Sequence, residues 1–255
     1  MIVQKENNDN ICNICNCHYD KLSKDHVPPK CMGNVGAGLY WNYLQRNGNK
    51  SKTYSDGIKF QTICQECNRR LKVFDDSING LYKTLKYKKV TSNQSLSVKI
   101  KPNSIIRGIF GHFLSAKSFH ERSSFDEIFY NSVINKEQDI PPSLQFYVVY
   151  YESDEIRIFR DLIVSHPKSD YKPIGLNIMK IKPFAFLISE STFLNGTVMN
   201  WTKYFSEAYN KKIEVEINTH IECPNYWPEN DNAFARLFGK VAFESIIGIK
   251  NKQGA

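Results

Sequence analysis

Residues 58–83 read IKFQTICQECNRRLKVFDDSINGLYK, and this stretch joins a strand pattern, a close pair of cysteines and a helix pattern. Residues 58–63 alternate between apolar and polar side chains, which predicts a half-buried strand. After the cysteine pair, Leu71, Phe74 and Ile78 recur at helical spacing, which predicts a helix over residues 67–83. The stretch therefore predicts a strand and a helix joined at a pair of thiols.

The cysteines are concentrated near the N-terminus. Six of the seven lie within the first 67 residues, and such a cluster in a chain without a secretory signal indicates metal binding before disulfides. Two pairs have two residues between the thiols, a spacing that lets both sulfurs reach one ion at about 2.3 Å. The residues expected to bind a structural zinc ion are Cys12, Cys15, Cys64 and Cys67. Cys17 and His18 are alternative ligands, and Cys31 and Cys223 are expected to be core or unpaired thiols.

The segment between the two cysteine pairs contains Asp25-His26-Val27-Pro28-Pro29. Residues 22–27 can form a short strand, which ends at the prolines because proline cannot donate to a strand ladder. Asp25 and His26 are adjacent at that strand end, so their side chains point to opposite faces. The predicted order is cysteine pair, strand, loop, strand, cysteine pair and helix.

These motifs, in this order over about residues 12–83, resemble the HNH endonucleases, the ββα-metal nucleases, in their zinc-bound form. The resemblance is carried by Cys-x-x-Cys, by Asp-His-Val-Pro-Pro and by a second Cys-x-x-Cys that Asn68 follows. It implies that His26 is the general base and that Asp25 and Asn68 hold a catalytic divalent ion. Asn68 stands where many members of the family have histidine.

The chemistry of phosphodiester hydrolysis suits these residue types. An imidazole with an ordinary pKa of about 6.5 can take a proton from water near neutral pH. A carboxylate and an amide oxygen are hard ligands that favour Mg²⁺ or Mn²⁺ over zinc. The expected cofactors are therefore a structural Zn²⁺ and a catalytic Mg²⁺ or Mn²⁺. The basic residues expected to bind substrate phosphates are Lys30, Lys59, Arg69, Arg70 and Lys72.

One position departs from the family pattern. Lys59 lies five residues before the second cysteine pair, where the family usually has an asparagine that orients the active-site loop. Gln61 and Asn49 are candidate replacements for that asparagine. Asp75 and Asp76, in the predicted helix, are expected to be solvated, and a supporting role at the site is the alternative.

Net charge points to the same part of the chain. The formal charge is +8, and residues 1–100 hold all of this excess, with 16 basic against 8 acidic side chains. Residues 101–255 are balanced, with 18 of each sign. A basic region beside a neutral one is typical of a nucleic-acid-binding module joined to a second domain, and a solvated lysine-rich surface is the alternative.

Composition and hydropathy exclude two broad classes. A chain with 41% hydrophobic residues is not expected to be intrinsically disordered. No apolar run approaches the roughly 20 residues of a membrane span, and the first ten residues lack the apolar core of a signal peptide. We therefore expect a cytoplasmic protein with no membrane partner.

The remainder of the chain shows an α+β pattern without a motif of known chemistry. Apolar residues at helical spacing predict helices over residues 103–117 and 231–247, and residues 84–104 are expected to form a linker or edge strand. Alternating runs predict strands over residues 144–151, 156–164, 174–181, 183–189 and 212–217. The predicted fold class is α+β, with a ββα-metal HNH module at residues 1–94 and, at residues 95–255, an accessory domain with an antiparallel meander and flanking helices. The histidines expected to have ordinary polar or core roles are His112, His120, His166 and His220.

The leading hypothesis is a metal-dependent HNH endonuclease that acts on nucleic acid, with DNA preferred over RNA because of the family resemblance. Small bacterial proteins of this kind are often effectors of defence against phage, and some act beside an ATPase subunit, so a partner of that type is expected by analogy. A second hypothesis is a zinc-bound nucleic-acid-binding or assembly module without catalysis. A third is a nuclease controlled by a ligand of its C-terminal domain.

Overall fold

The computed structural model of the 255-residue chain describes residues 2–4, 9–42, 51–165, 173–192, 198–219, 235–237 and 245–250. Its helices are α1 (Gln65–Tyr87), α2 (Pro102–Ser115) and α3 (Ser124–Ile134). The first strands are β1 (Ile2–Gln4), β2 (Ser23–His26), β3 (Gly38–Asn42), β4 (Lys52–Tyr54), β5 (Lys59–Ile63) and β6 (Ser95–Ile100). The later strands are β7 (Gln145–Tyr150), β8 (Glu155–Ser165), β9 (Pro173–Ile181), β10 (Phe184–Ser189), β11 (Met199–Asn200), β12 (Ile213–Asn218), β13 (Ala235–Leu237) and β14 (Ile246–Lys250).

The two strands predicted on either side of the 31–58 loop form one antiparallel ladder. β2 pairs with β5, with His26 opposite Lys59, and β1 adds in parallel to the other edge of β5. α1 follows β5 almost at once because Cys64 caps it, with the cysteine sulfur accepting the amide of Cys67. The strands and the helix predicted from this region are confirmed, and the helix is longer than predicted at both ends.

α2 is the central helix of the molecule, and every one of its residues is buried. It packs against the apolar face of α1, where two glycines of α2 permit close approach. A Cβ added at Gly111 would lie 2.2 Å from Cδ2 of Leu71, and one added at Gly108 would lie 2.9 Å from Cδ1 of Ile78. The helix predicted over residues 103–117 is confirmed. The close contacts at Gly108 and Gly111 fix its position against α1.

A large antiparallel sheet contains strands from both ends of the chain. Its order is β11-β7-β10-β9-β8-β14-β3-β4, and β13 also pairs with β8. β8, β9 and β10 follow one another as an antiparallel meander, as predicted. β3 and β4 precede residue 94, yet they join this sheet through β14. Strands from both sides of the proposed domain boundary thus share one sheet, and that boundary stays a prediction.

The sequence pattern also located most of the remaining elements. The five strands predicted between residues 144 and 217 are confirmed as β7, β8, β9, β10 and β12. Within residues 84–104, β6 forms an edge strand that pairs with β12 in a separate two-stranded sheet. α3 was not predicted; it begins at a capping box in which Ser123 and Asp126 each bond to the other's backbone amide. No helix in the described part of the chain combines the length and hydropathy that a bilayer crossing needs.

The helix predicted over residues 231–247 is wrong wherever the structure describes this segment. Residues 235–237 form β13, and residues 246–250 form β14, which lies between β8 and β3. Isoleucines dominate β14, and branching at Cβ favours strands over helices. A central strand whose two faces are both covered lacks the polar alternation that distinguishes a strand from a helix in sequence. Residues 231–234 and 238–244 of the predicted helix lie outside the described residues.

Candidate metal centre and active site

The four predicted zinc ligands form a compact cluster. The sulfur atoms of Cys12, Cys15, Cys64 and Cys67 all lie within 4.8 Å of one another, and those of Cys15 and Cys64 are 3.9 Å apart. Sulfurs placed tetrahedrally at about 2.3 Å from zinc are separated by about 3.8 Å, so the cluster has the size that one ion needs. Among the described residues, no other group of three or more Cys, His, Asp or Glu side chains has such a geometry.

Backbone amides and neighbouring thiols favour negative charge on the cluster. The amides of Cys64 and Ile14 lie 3.2 and 3.4 Å from the sulfur of Cys12. A hydrogen bond from Cys67 lowers the pKa of the Cys12 thiol, whereas donating that bond raises the pKa of Cys67. Cys12 therefore becomes a thiolate readily, and a bound cation would favour the thiolate form of Cys67 as well.

The alternative zinc ligands lie outside this cluster. Cys17 and His18 are exposed, and the Cys17 thiol donates to the backbone carbonyl of Cys15 instead. Cys31 is half-buried at the edge of the core, and burial raises the pKa of its thiol to about 12. The thiol is therefore protonated at neutral pH. Cys223 lies outside the described residues.

Asn68 reaches the strand that carries the predicted catalytic pair. It lies in the first turn of α1, and its Nδ2 donates to Ser23 Oγ and to the carbonyl of Lys24, both at 3.2 Å. These bonds hold Asn68 beside β2, where Asp25 is buried with only 5% of its surface exposed. With both amide protons engaged, the Oδ1 atom of Asn68 is the one left for a metal ion.

His26 ends β2 on the face opposite to Asp25. Its side chain is 18% exposed, and its Nε2 is buried without a hydrogen-bond partner among the described residues. Burial lowers the pKa of His26, and the positive charges of Lys59 and Lys30 add to this effect. The ring is therefore neutral near pH 7, a state in which one of its two nitrogens can accept a proton.

Asp56 is a site residue that the sequence did not reveal. Its Oδ2 lies 2.5 Å from Nζ of Lys59 and 3.8 Å from Nε2 of His26, so Lys59 is held by an acid that also faces the imidazole. Gln61, a predicted replacement for the family asparagine, donates instead to the carbonyl just before β2. Asn49 lies outside the described residues. In the sequence, Asp56 stood in a Ser-Asp-Gly turn motif, which indicates a turn and nothing more.

His112 is the second residue that sequence analysis missed, since it was expected to have an ordinary role. It comes from α2 and is fully buried, with Nδ1 2.9 Å from Oδ2 of Asp25 and Nε2 2.7 Å from Oδ1 of Asp75. Burial disfavours a charged ring, but attraction to both carboxylates outweighs it and raises the pKa of His112 to about 10. Asp75 is thus a partner of this histidine rather than a purely solvated residue, whereas Asp76 is exposed. No local pattern could connect positions 87 residues apart.

Two of the predicted phosphate-binding residues of α1, Arg69 and Lys72, border a polar groove of about 800 Å³. Its lining residues are Tyr19, Lys21, Gln65, Glu66, Asn68, Arg69, Lys72 and Asp75. Arg69 and Arg70 both pair with Glu66, which offsets part of their charge, and Arg70 does not line the groove. Lys30 is exposed on the His26 side of the site. The groove therefore gathers Asn68, Lys72 and Asp75 on one open surface beside the cysteine cluster.

Comparison of the chain with protein-family models, with curated proteins and with solved structures finds no match in any of the three. The resemblance to HNH endonucleases accordingly depends on the sequence motifs. The part of it that the structure supports is the cluster of four cysteines able to hold a metal such as zinc.

Proposed function

We propose that this protein is a metal-dependent endonuclease of the HNH type that hydrolyses phosphodiester bonds of nucleic acid, with DNA as the preferred substrate. The observation that carries the proposal is that three predicted site residues lie in β2 or are hydrogen-bonded to it. Asp25 and His26 end that strand, and Asn68 is hydrogen-bonded to it from α1. The cysteine cluster lies directly before Asn68 in the chain, which is the order expected from the family resemblance.

The residues present fit a catalytic divalent ion. Asp25 and Asn68 would hold it through a carboxylate and an amide oxygen, which are ligands suited to Mg²⁺ or Mn²⁺. The buried Nε2 of His26 has no hydrogen-bond partner in the part of the chain that the structure describes, which also supports a reactive site, because buried polar atoms nearly always have partners. When bound, the ion would supply Lewis-acid stabilisation of charge on the leaving oxygen.

His26 acts as the general base in this proposal. Its lowered pKa keeps the imidazole neutral near pH 7, so that one ring nitrogen can accept the proton of the attacking water. Lys59, which replaces the family asparagine, faces His26 across the strand pair and is held by Asp56. Asp56 and Lys59 together therefore set the electrostatic environment of the base.

The zinc ion has a structural role in this proposal. It would join the turn at residues 12–15 to the start of α1, where Cys67 immediately precedes Asn68. A complete Cys₄ site leaves no open coordination position for a substrate, which distinguishes it from a catalytic zinc site. The zinc would thus fix the helix that presents Asn68 to β2.

The polar face of α1 supplies a path for the nucleic-acid backbone. A stripe at helical spacing runs along it, formed by Asn68, Lys72, Asp75, Asn79, Lys83 and Lys86. Its second half borders a largely apolar cavity of about 390 Å³, and Lys89 lies there as well. Among the described residues, the charged side chains that line this cavity are all lysines, so it attracts an anionic substrate such as a phosphate backbone.

Two observations favour the alternative hypotheses. For a binding or assembly module without catalysis, the supporting observation is that Lys59 stands in place of the family asparagine and is occupied by Asp56. For a nuclease controlled through its C-terminal half, the supporting observation is the hydrogen bond between His112 of α2 and Asp25. A role in defence against phage, and an ATPase subunit as partner, are proposed by analogy with small HNH proteins alone.

The proposed function is tested by cleavage of plasmid and single-stranded DNA, and of RNA, with Mg²⁺ or Mn²⁺. We expect the parent protein to cleave DNA and His26→Ala to lose at least 100-fold in rate, the usual order of magnitude for a general base. His18→Ala, which changes an exposed histidine outside the site, is the matched control and should cleave as the parent does. Retained cleavage by His26→Ala would contradict the base assignment, and a parent that cleaves nothing but still binds DNA would favour the binding module.

A further inference from the structure

We infer that His112 of α2 is a positioning residue that orients Asp25 toward the proposed catalytic ion, so that the site is completed by the C-terminal half of the chain. The inference rests on the function proposed above, because it takes Asp25 as a ligand of the divalent ion. The HNH-like motifs assign no role to His112, and for its second partner, Asp75, the sequence offered only an unspecified supporting role as an alternative.

The hydrogen bonds of His112 exclude a direct chemical role. Carboxylates only accept, so a ring bonded to Asp25 at 2.9 Å and to Asp75 at 2.7 Å must donate from both nitrogens. Such a ring has no lone pair left to bind a metal or to accept a proton. Because the side chain is also fully buried, it cannot touch substrate, and any effect on catalysis must pass through its partners.

The contact with Asp25 is suited to orienting a ligand. His112 occupies one oxygen of this carboxylate, Oδ2, and so directs the other oxygen to a metal ion. Hydrogen bonds to ligating carboxylates from outside the coordination sphere typically change metal affinity or activity by about 10- to 100-fold. Asp75 holds the far side of the ring, which prevents the imidazole from rotating away.

Packing of α2 gives His112 its fixed position. The neighbouring Gly111 lies against Leu71 of α1 so closely that a methyl group would not fit without a shift. Earlier in the same helix, the buried Arg107 donates to the carbonyls of Ser132 and Asn135. α2 is thus anchored on both sides, and it brings His112 between β2, which carries Asp25, and α1, which carries Asp75.

Two conservative variants separate this role from a purely structural one. In His112→Asn the amide nitrogen can occupy the position of Nδ1 and keep the bond to Asp25. In His112→Gln it can occupy the position of Nε2, which keeps the bond to Asp75 and loses the one to Asp25. Both substitutions introduce the same amide group at residue 112, so the carboxylate that each reaches is the intended difference.

The measurement is Mn²⁺ affinity of the full-length, zinc-loaded protein, by electron paramagnetic resonance titration, with a thermal unfolding curve for each variant. We expect His112→Gln to lower Mn²⁺ affinity about 10- to 100-fold and His112→Asn to stay within about threefold of the parent. Asp75→Ala should lower the affinity, whereas its neighbour Asp76→Ala, an exposed control with the same charge change, should leave it unaltered.

The outcomes distinguish this inference from the proposed function. Equal Mn²⁺ affinity in the parent and in His112→Gln would overturn the positioning role even if the parent cleaves DNA. Losses in both variants that follow their unfolding temperatures would show a structural role only, and would overturn it as well. A parent that binds no Mn²⁺ contradicts the inference directly. A parent that binds Mn²⁺ and cleaves nothing contradicts the nuclease proposal, while the affinities still decide the role of His112.

Discussion

Asp126 shows how a single buried carboxylate organises the C-terminal half. Its oxygens lie 2.6 Å from Nζ of Lys117 and 2.5 Å from the Arg160 guanidinium, and all three side chains are buried. The same residue closes the capping box that begins α3. Burial alone would raise the pKa of Asp126, but Arg160 and Lys117 outweigh it and hold that pKa below the ordinary 3.8. The charge of Asp126 therefore stabilises the folded state.

Replacing Asp126 with asparagine is predicted to destabilise the protein by about 3–5 kcal/mol at pH 7, because two buried cations lose their counter-charge. A lowered pKa in the folded state contributes stability that is present above the unfolded pKa and lost as the pH falls through the folded pKa. The difference between parent and Asp126→Asn should therefore shrink as the pH falls below about 4.

Urea unfolding of both proteins at pH 7, 5 and 3 measures this difference. Loss of zinc in acid affects both proteins and cancels in the comparison. A difference that stays constant over this range would mean that Asp126 is not the titrating group.

At the scale of secondary structure, α1 connects the proposed chemistry to the surface around it. Its buried face packs against α2, and its polar face carries the stripe from Asn68 to Lys86. At 1.5 Å per residue, these two residues lie about 27 Å apart along the helix. This length corresponds to about eight base pairs of B-form DNA at 3.4 Å each. Substrate contacts are therefore expected well beyond the site of cleavage.

The double variant Lys83→Ala with Lys86→Ala is predicted to lower the affinity for DNA and to make that affinity less dependent on salt concentration. Each lost phosphate contact lowers the slope of log K against log salt concentration by about 0.9 for duplex DNA, so the pair should lower it by about 1.8. Fluorescence anisotropy between 50 and 200 mM salt, without added divalent ions, measures the slope.

Lys203→Ala with Lys212→Ala is the matched control, since it removes two exposed charges from the region after residue 100. Its slope should equal that of the parent. If both double variants lower the slope equally, net charge rather than the polar face of α1 would explain the binding.

At the scale of the whole molecule, the cysteine cluster and the large sheet hold distant parts of the chain together. The cluster joins residues 12–15 to residues 64–67. β14, from the C-terminal end, lies between β8 and β3 and so joins the C-terminal meander to the N-terminal region. A metal at the cluster would therefore stabilise the whole fold through the start of α1.

Removal of zinc is predicted to lower the free energy of unfolding by about 4 kcal/mol, relative to protein in free zinc at 1,000 times the dissociation constant. The parent should contain about one zinc per chain, and Cys64→Ser should lose most of it. Cys17→Ser, a change in an exposed thiol outside the cluster, should retain the parent's zinc content. Elemental analysis and chemical unfolding after chelation measure both effects, and an unchanged zinc content in Cys64→Ser would rule out the Cys₄ site.

The sequence pattern predicted an element correctly where the contacts that form it are close in sequence, or where only one face of the element is buried. The helical spacing of Leu71, Phe74 and Ile78 located α1 because that helix has one covered face. The pattern predicted a helix where β14 forms, because both faces of this strand are covered and its partner strands lie far away in the sequence. It also left α3 unassigned, although Ser123 and Asp126 form a capping box that the sequence displays.

By itself, the sequence determined the two Cys-x-x-Cys motifs, the strand that ends at Asp25 and His26, and the helix that follows the second motif. Spacing along one segment decides each of these, because thiols with two residues between them and side chains of one strand have fixed relative positions. Only the tertiary structure placed His112 between Asp25 and Asp75, and Asp56 beside His26. Those contacts arise when α2 packs against α1 and the turn before β5 folds over β2, and the energies that drive this packing depend on burial, which no short stretch of sequence records.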